Sequence, residues 1–395
     1  MQYNDVAIPL GQAWSSPFAK WQGALAETSS LDLAVAVTSR ALADRGVDVT
    51  RFDGVVMGWT VPQQDLFFGA PTLAARLGAV GLTGPMVGQA CATGVAALHA
   101  AAAAVMTGAT RQLVVVTDRT SNGPTLSWPK PSGQGGAPVL SHWVLDSFAR
   151  DPWAGESMLA TAEAVAGENG ITREELDDLT ALRWEQYQTA LAEDRRFQRR
   201  YQVPVDIERP KGAVTLESDE GTRSKERAAI GALPPAGPGA VHTYASQTHP
   251  ADGCAGAVVT TTAEARSASS EGVVRILSSG FARAGRSRMP EAPVPAARAA
   301  LDAAGLGIGE VHAIATHNPF AVNDVYFCRE TGVKPEDMNV FGCSLVFGHP
   351  NGPTGLRSIA ELIETLRLRG GGVGLFTGCA AGDTAAAMVV EVTDR

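Results

Sequence analysis

Cysteine is scarce in this chain: five residues in 395, an odd number, with no Cys-x-x-Cys pair. That excludes a disulfide framework and a zinc ribbon, and it favours a reducing, cytoplasmic setting. Runs of Lys and Arg are missing too. With 32 basic against 41 acidic residues the formal charge is −9, which speaks against nucleic acid or an anionic membrane surface as a partner. The longest apolar runs, such as 96–106, are interrupted by His or Gly and fall short of a membrane span. The opening MQYNDVAIPL has neither the basic start nor the long apolar stretch of a secretory leader. Aromatic residues make up only 6%, yet hydrophobic residues reach 45% and glycine 43 positions, so the chain is ordered around a core of small, closely packed residues.

Strands and helices alternate along the chain, which implies an α/β fold. A short apolar segment at 5–10 precedes a helix over 31–44, a strand over 52–59 and a helix over 71–78. GQACATG then turns into a long Ala-rich helix, and the strand 112–117 closes this half. The order returns later: a strand over 272–277, a helix over 294–304, a strand over 311–316, the GHPNGPTG turn, a helix over 356–368, and strands over 373–377 and 386–392. Two similar halves facing each other follow from this repetition. The boundaries read as 1–117 with 246–265 for the first half, 266–395 for the second, and 118–245 for an inserted loop domain that covers a site between them. Inside the insertion a helix is expected over 157–168, and a second, surface helix opens with Thr172 and Glu175 spaced as a capping box.

Four side chains could do chemistry. Cys91 enters the long helix among Ala90, Ala92 and Gly94, where free N–H groups and the positive helix end favour a thiolate. His349 holds the equivalent place in the other half, in a tight Gly-His-Pro-x-Gly turn. Cys379 ends a strand in TGCAAGD, a small-residue turn that exposes backbone N–H groups suited to an oxyanion. His317, with Asn318, ends the strand of VHAIAT. Taken singly, each has a plain structural reading: a core cysteine, a turn histidine, a buried thiol. Together they form a kit for Claisen chemistry on thioesters, with one cysteine as nucleophile, His349 as its base and the second cysteine moving a proton at carbon.

Those motifs resemble the thiolase superfamily, the acyltransferases that make or cleave 3-oxoacyl-CoA, along nearly the whole chain. GQACATG matches the nucleophile motif at Cys91, GHPNG the motif of His349, and CAAGD the motif of the acid/base Cys379. LESDEGTR resembles the loop-domain Asp-Glu-x-x-Arg segment, MLATAEAVA the helix after the tetramerisation region, and ADGCAGAVV the Asn-Asp-Gly-Ala motif. The resemblance implies a five-layered αβαβα fold, coenzyme A and acyl-CoA as substrates, no permanently bound cofactor, no metal, and a homodimer or homotetramer. It also implies an oxyanion hole from the backbone N–H groups of Cys91 and Ala381.

Departures from the pattern concern substrate contacts. HNPF puts His317 where many thiolases have Asn, as in the sterol-carrier branch, and Asn318 where they have an acid; Phe320 follows in the same element. Met158-Leu159-Ala160 replaces the usual His-Met-Gly, and SQTHPADG, with His249 and Pro250, replaces the segment that approaches pantetheine. TDRTSNGP keeps Asn122 and Pro124. Arg223, then Lys225 and Arg227, are the cations offered to the CoA phosphates, and Trp128 and Trp143 are candidates to face adenine or to tether the lid. The substrate-binding set is therefore Arg223, Met158, His249, Asn318 and Phe320. A ketoacyl synthase shares the doubled fold but lacks a counterpart of Cys379. A partner-dependent, non-catalytic acyl-CoA-binding subunit is the other alternative.

Overall fold

The computed structural model describes residues 1–395 except 65, 122, 208–211 and 395; Asn122, singled out above, lies outside the described residues. Its centre is a pair of helices, Thr93–Met106 and Pro353–Leu368, packed against each other. The first is nearly all Ala, Val and Leu. The second starts with Pro353, whose missing N–H costs nothing in the first turn. Their approach is close: a Cβ on Gly94 would lie 2.6 Å from the Leu356 backbone nitrogen.

A strand system wraps this pair on both sides. In hydrogen-bonded order it runs Ala313–His317, Gly372–Ala380, Thr384–Asp394, Gly272–Arg283, Ala7–Pro9, Ala251–Thr260, Arg111–Arg119, Gly54–Gly58 and Met86–Val87. Each end is parallel, Ala313–His317 on Gly372–Ala380 and Gly54–Gly58 on Arg111–Arg119, while the middle is antiparallel. Ala7–Pro9 pairs with both Ala251–Thr260 and Gly272–Arg283, so the sheets of the two halves share one strand.

The buried clusters give the layers. One cluster combines the central helices with the inner faces of both sheets, including Val95, Leu98, Val114, Val116, Leu356, Ile359 and Met388. A second packs Ser30–Asp44 and Gly69–Arg76 on the outer face of the first sheet, through Leu33, Val37 and Leu73 against Val55 and Val115. A third packs Pro293–Ala304 on the outer face of the other, through Val294, Ala297 and Leu301 against Val389 and Leu375. Helix, sheet, helix pair, sheet, helix is the five-layered arrangement that the resemblance implies.

Most elements lie where the pattern puts them, with ends displaced by one to three residues. The second central helix begins at Pro353, three residues before the expected start. The capping box at Thr172 is present, its hydroxyl taking the Glu175 N–H while the Glu175 carboxylate takes the Thr172 N–H. Backbone angles leave the helical range at Ala192–Asp194, near the end of that helix. One long strand was read only as a motif: Ala251–Thr260, buried at every position, has no alternation to announce it because both of its faces are covered.

Candidate active site

Cys91 sits in the turn before the first central helix. Ala90 precedes it with φ at 45°, a left-handed conformation that a residue with a side chain adopts only when its surroundings hold it. The Thr93 hydroxyl takes the Gln89 N–H (2.8 Å) and donates to the Ala90 carbonyl (2.7 Å), locking this turn. The Cys91 sulfur faces two backbone N–H groups, those of Ala381 and of Cys91 itself. Burial nevertheless pushes the thiol up to about 12, and the Asp118 carboxylate adds to that direction.

His349 comes from the GHPNG turn of the other half. Its Nε2 lies 3.0 Å from the Cys91 sulfur, and its Nδ1 lies 2.6 Å from the Thr354 hydroxyl. With Nδ1–H donating to Thr354, the Nε2 lone pair is free to accept from the thiol. Burial, then the neighbouring His317, holds this imidazole well below its ordinary range. Both shifts favour the neutral thiol and imidazole over the charged pair. The turn is clamped to the first half through Asp118, whose carboxylate takes N–H groups from Thr60, Val61 and Gly352 (2.7 to 2.9 Å) and the Thr60 hydroxyl. Burial raises that carboxyl to about 7, against the pull of those four donors.

His317 stacks on His349 with ring centroids 4.1 Å apart. Its Nδ1 is 2.9 Å from the Ser344 hydroxyl, while its buried Nε2 has no partner among the described residues. Burial lowers its basicity to about 3, so the ring is neutral. Cys379, at the end of Gly372–Ala380, accepts from the Asn323 amide at 3.2 Å. Burial raises its thiol well above the ordinary range, and Cys91 is near enough to raise it further. The turn after it is pinned on both sides: Asp151 takes the Gly382 N–H (2.6 Å), and Asp383 takes the N–H groups of Ser287 and Arg288. These bonds orient the Ala381 N–H toward Cys91. Cys91, His317 and His349 each bring one ligand atom within 4.8 Å of the others. Such a donor set could hold a soft metal ion, but a proton shared between Cys91 and His349 is the simpler use of the same proximity.

Three cavities surround this cluster. A space of about 250 Å³ is lined by Cys91, Met158, Phe320, His349 and Ala381. Through Gln247 and Pro250 it borders a second, of about 490 Å³, which holds Lys20, Arg223, Lys225 and His249. The third, of about 570 Å³, lies beyond Cys91 and is walled by Trp59, Met86, Trp143 and Phe148.

The expected contact residues therefore divide. Met158 and Phe320 line the cavity at Cys91, and Arg223 and His249 line the outer one. His249 also works through its backbone, its carbonyl accepting the His349 N–H at 2.9 Å. Asn318 is placed differently: it is fully buried, its amide donates to Asp324 at 2.6 Å beside the buried Asp324–Arg183 pair, and it lines none of these three cavities. Lys225 is similarly committed, its ammonium donating to the carbonyls of Ala245 and Leu345. Arg227 pairs with Asp178 on the surface. Trp143 donates its indole N–H to the Thr60 carbonyl and faces the third cavity, while Trp128 donates to Ser141 and lines none of the three.

Sequence reasoning missed Asn323, Ser344, Thr354, Asp118 and Asp151, which hold the reactive groups in place. Only Asn323 left a local signal, as the first of two polar residues opening the helix Ala321–Thr331 in the apolar run AVNDV.

Comparison with known proteins bears on the whole chain. Residues 11–263 match the model of the thiolase N-terminal domain, and residues 271–392 that of the thiolase C-terminal domain. An acetyl-CoA acetyltransferase of Escherichia coli (strain K12) is 30% identical over 380 residues, 94% of this chain and 95% of that protein. The crystal structure of the Bacillus anthracis acetyl-CoA acetyltransferase superposes with a TM-score of 0.91 at 25% identity, covering 99% of each chain. Human mitochondrial 3-ketoacyl-CoA thiolase shares the fold, with a TM-score of 0.89 at 23% identity over 98% of this chain and 99% of that one.

Proposed function

The chain belongs to the thiolase family, and from that premise we propose that it is an acyl-CoA C-acyltransferase which cleaves a 3-oxoacyl-CoA with CoA, or runs the reverse condensation, through an acyl group on Cys91. The observation that carries this reading is the Cys91 sulfur lying 3.0 Å from His349 Nε2 while facing the N–H groups of Cys91 and Ala381. A nucleophile, its base and an oxyanion hole meet at one atom.

In the cleavage direction His349 Nε2 takes the Cys91 proton as the sulfur attacks the 3-keto carbon, and the oxyanion settles on the two backbone N–H groups. The bond between carbons 2 and 3 then breaks. Its electron pair becomes the enolate of the departing thioester, held by His349 Nε2–H and by the partnerless His317 Nε2, which donates in the tautomer where Nδ1 accepts from Ser344. Cys379 gives its proton to the enolate carbon. The Cys379 thiolate next deprotonates incoming CoA, whose sulfur attacks the acyl carbonyl. Cys91 leaves and recovers its proton from His349. Burial that raises the Cys379 thiol suits it to this exchange, since carbon acids are weak and a strong base narrows the gap.

The outer cavity, with Arg223 and Lys20, is the place offered to the nucleotide end of CoA. Segment 118–245 serves as the cover of the site, contributing Phe148, Met158 and Arg223. A homodimer or homotetramer fits the outer edge of Met86–Val87, which carries no further strand among the described residues, and the exposed Phe67, Phe68 and Val80 on the same half. A cytoplasmic location fits five free cysteines, and no helix among the described residues is long and apolar enough to cross a membrane.

The test is CoA-dependent thiolysis of 3-oxoacyl-CoA, followed by loss of the enolate absorbance. Wild type turns over, Cys91→Ser falls to background, and Cys379→Ser loses turnover by about 10²–10⁴. Binding of CoA esters without turnover of any of them would instead identify a non-catalytic subunit.

A further inference from the structure

Cys379 has to pass through a charged form. In the acyl-transfer reading its thiol gives a proton to the enolate carbon, and the thiolate left behind waits for incoming CoA to return one. The surroundings of that thiolate are poor for a charge. Cys379 is 1% exposed and packs among Met289, Phe320, Ala321, Val322 and Leu345, and a charge taken from water into hydrocarbon is strongly disfavoured unless donors meet it. Two N–H groups do so. One is the backbone N–H of Cys379 itself, and the other belongs to the Asn323 side chain, whose Nδ2 lies 3.2 Å from the sulfur.

The other end of that amide is idle. Asn323 Oδ1 is buried and has no partner among the described residues. An unmade bond at a buried acceptor opposes folding, so this amide is unfavourable for stability, and its use lies in what Nδ2 does at the sulfur. The orientation agrees. A thiol S–H would donate to Oδ1, whereas a thiolate only accepts, and the nitrogen is the end placed at the sulfur. The next residue fixes this arrangement. Asp324 takes the Thr316 hydroxyl (2.7 Å), the Asn318 amide (2.6 Å) and the Arg183 guanidinium (2.9 Å). Those bonds anchor the first turn of the helix Ala321–Thr331, from which Asn323 reaches Cys379.

We propose that Asn323 is a positioning residue for proton transfer at carbon, its amide N–H holding the Cys379 sulfur as a thiolate between loss and recovery of the proton. The inference rests on the acyl-transfer reading and adds to it the group that makes the second cysteine usable as a base.

The experiment follows hydrogen–deuterium exchange at carbon 2 of acetyl-, butyryl- and octanoyl-CoA in deuterated buffer, together with kcat and KM of thiolysis, on the full-length enzyme and on Asn323→Leu. Exchange is proton transfer alone: the Cys379 thiolate removes a proton from carbon and a deuteron returns. Alkylation of Cys91 by iodoacetamide, read on its own peptide by mass spectrometry, reports whether the rest of the site is intact. In Asn323→Leu, exchange and kcat fall about 10- to 100-fold, while KM and Cys91 alkylation hold their wild-type values and the urea midpoint does not drop. Asn323→Ala, which only deletes atoms, lowers the ratio of exchange to Cys91 alkylation in the same way and serves should the leucine not be accommodated. A ratio that stays at the wild-type value in either variant overturns the proposal, as does a fall of exchange, alkylation and urea midpoint in step, which would mark Asn323 as a packing residue. A wild type that neither exchanges nor cleaves any ester overturns the acyl-transfer reading, and this inference with it.

Discussion

The two central helices occupy equivalent places in the two halves, yet they are made of opposite materials. Thr93–Met106 behind Cys91 is nearly all Ala, Val and Leu, and it holds its reactive residue by close packing: Gly94 lies against the Leu356 backbone and Ala90 is kept in a left-handed turn. Pro353–Leu368 behind His349 carries Arg357, Glu361 and Glu364 within its buried surface. Arg357 is bound at both terminal nitrogens by Asp219 (2.6 and 2.8 Å), reaches Glu361 at 3.2 Å, and lies over the rings of Phe347 and Phe18. Asp219 comes from the inserted segment, in the LESDEGTR sequence. The half that supplies the nucleophile thus relies on shape, whereas the half that supplies the base is tied by charge to the segment covering the site. A thiol needs only a fixed sulfur and two N–H groups, but an imidazole must also keep its tautomer and orientation, which takes hydrogen bonds.

Four experiments sharpen or break this contrast. The largest effect is expected from Asp219→Ala, which leaves Arg357 buried with Glu361 as its remaining carboxylate. Urea unfolding should show a loss of about 3 kcal/mol, and equal stability to wild type would mean the charged tie is dispensable. Gly94→Ala, on the shape side, forces the helices apart at the Cys91 entrance and should cost about 1–3 kcal/mol by the same assay. Thr354→Val removes the Nδ1 partner of His349 and should lower kcat about tenfold, with little change in KM. An unchanged kcat would show that packing alone orients the imidazole.

The fourth experiment concerns pH. The Cys91 thiol is raised to about 12, so its thiolate fraction grows tenfold per pH unit up to that value. Alkylation of the free enzyme by iodoacetamide should therefore climb between about pH 7 and pH 10 without a plateau. A plateau near neutrality would reveal a thiolate–imidazolium pair in place of the neutral one.

What the sequence disclosed follows the same division. Cys91 and His349 were readable because each sits in a short turn whose glycines and small residues are adjacent in the chain. Cys379 was readable for the same reason. The contacts that hold them are not local: Asp118 reaches Gly352, Asp219 reaches Arg357, and Asp151 reaches Gly382, each across more than a hundred residues. No periodicity or motif records such a pairing. Asn318 misled because its amide is held by the Asp324 carboxylate at 2.6 Å, a contact that the HNPF element by itself does not record. The strand Ala251–Thr260 escaped notice because burial on both faces erases the alternation by which strands are read.

The three residues Ala7–Pro9, which bridge the sheets of both halves, impose an order on synthesis. Both of their hydrogen-bonding neighbours, Ala251–Thr260 and Gly272–Arg283, lie more than two hundred residues downstream. While the chain is being translated this strand has no partner until well over half of the protein has left the ribosome, and the loop it must then close is among the longest the fold contains. The joining of the halves is consequently a late event in folding, and the site between them cannot assemble before it.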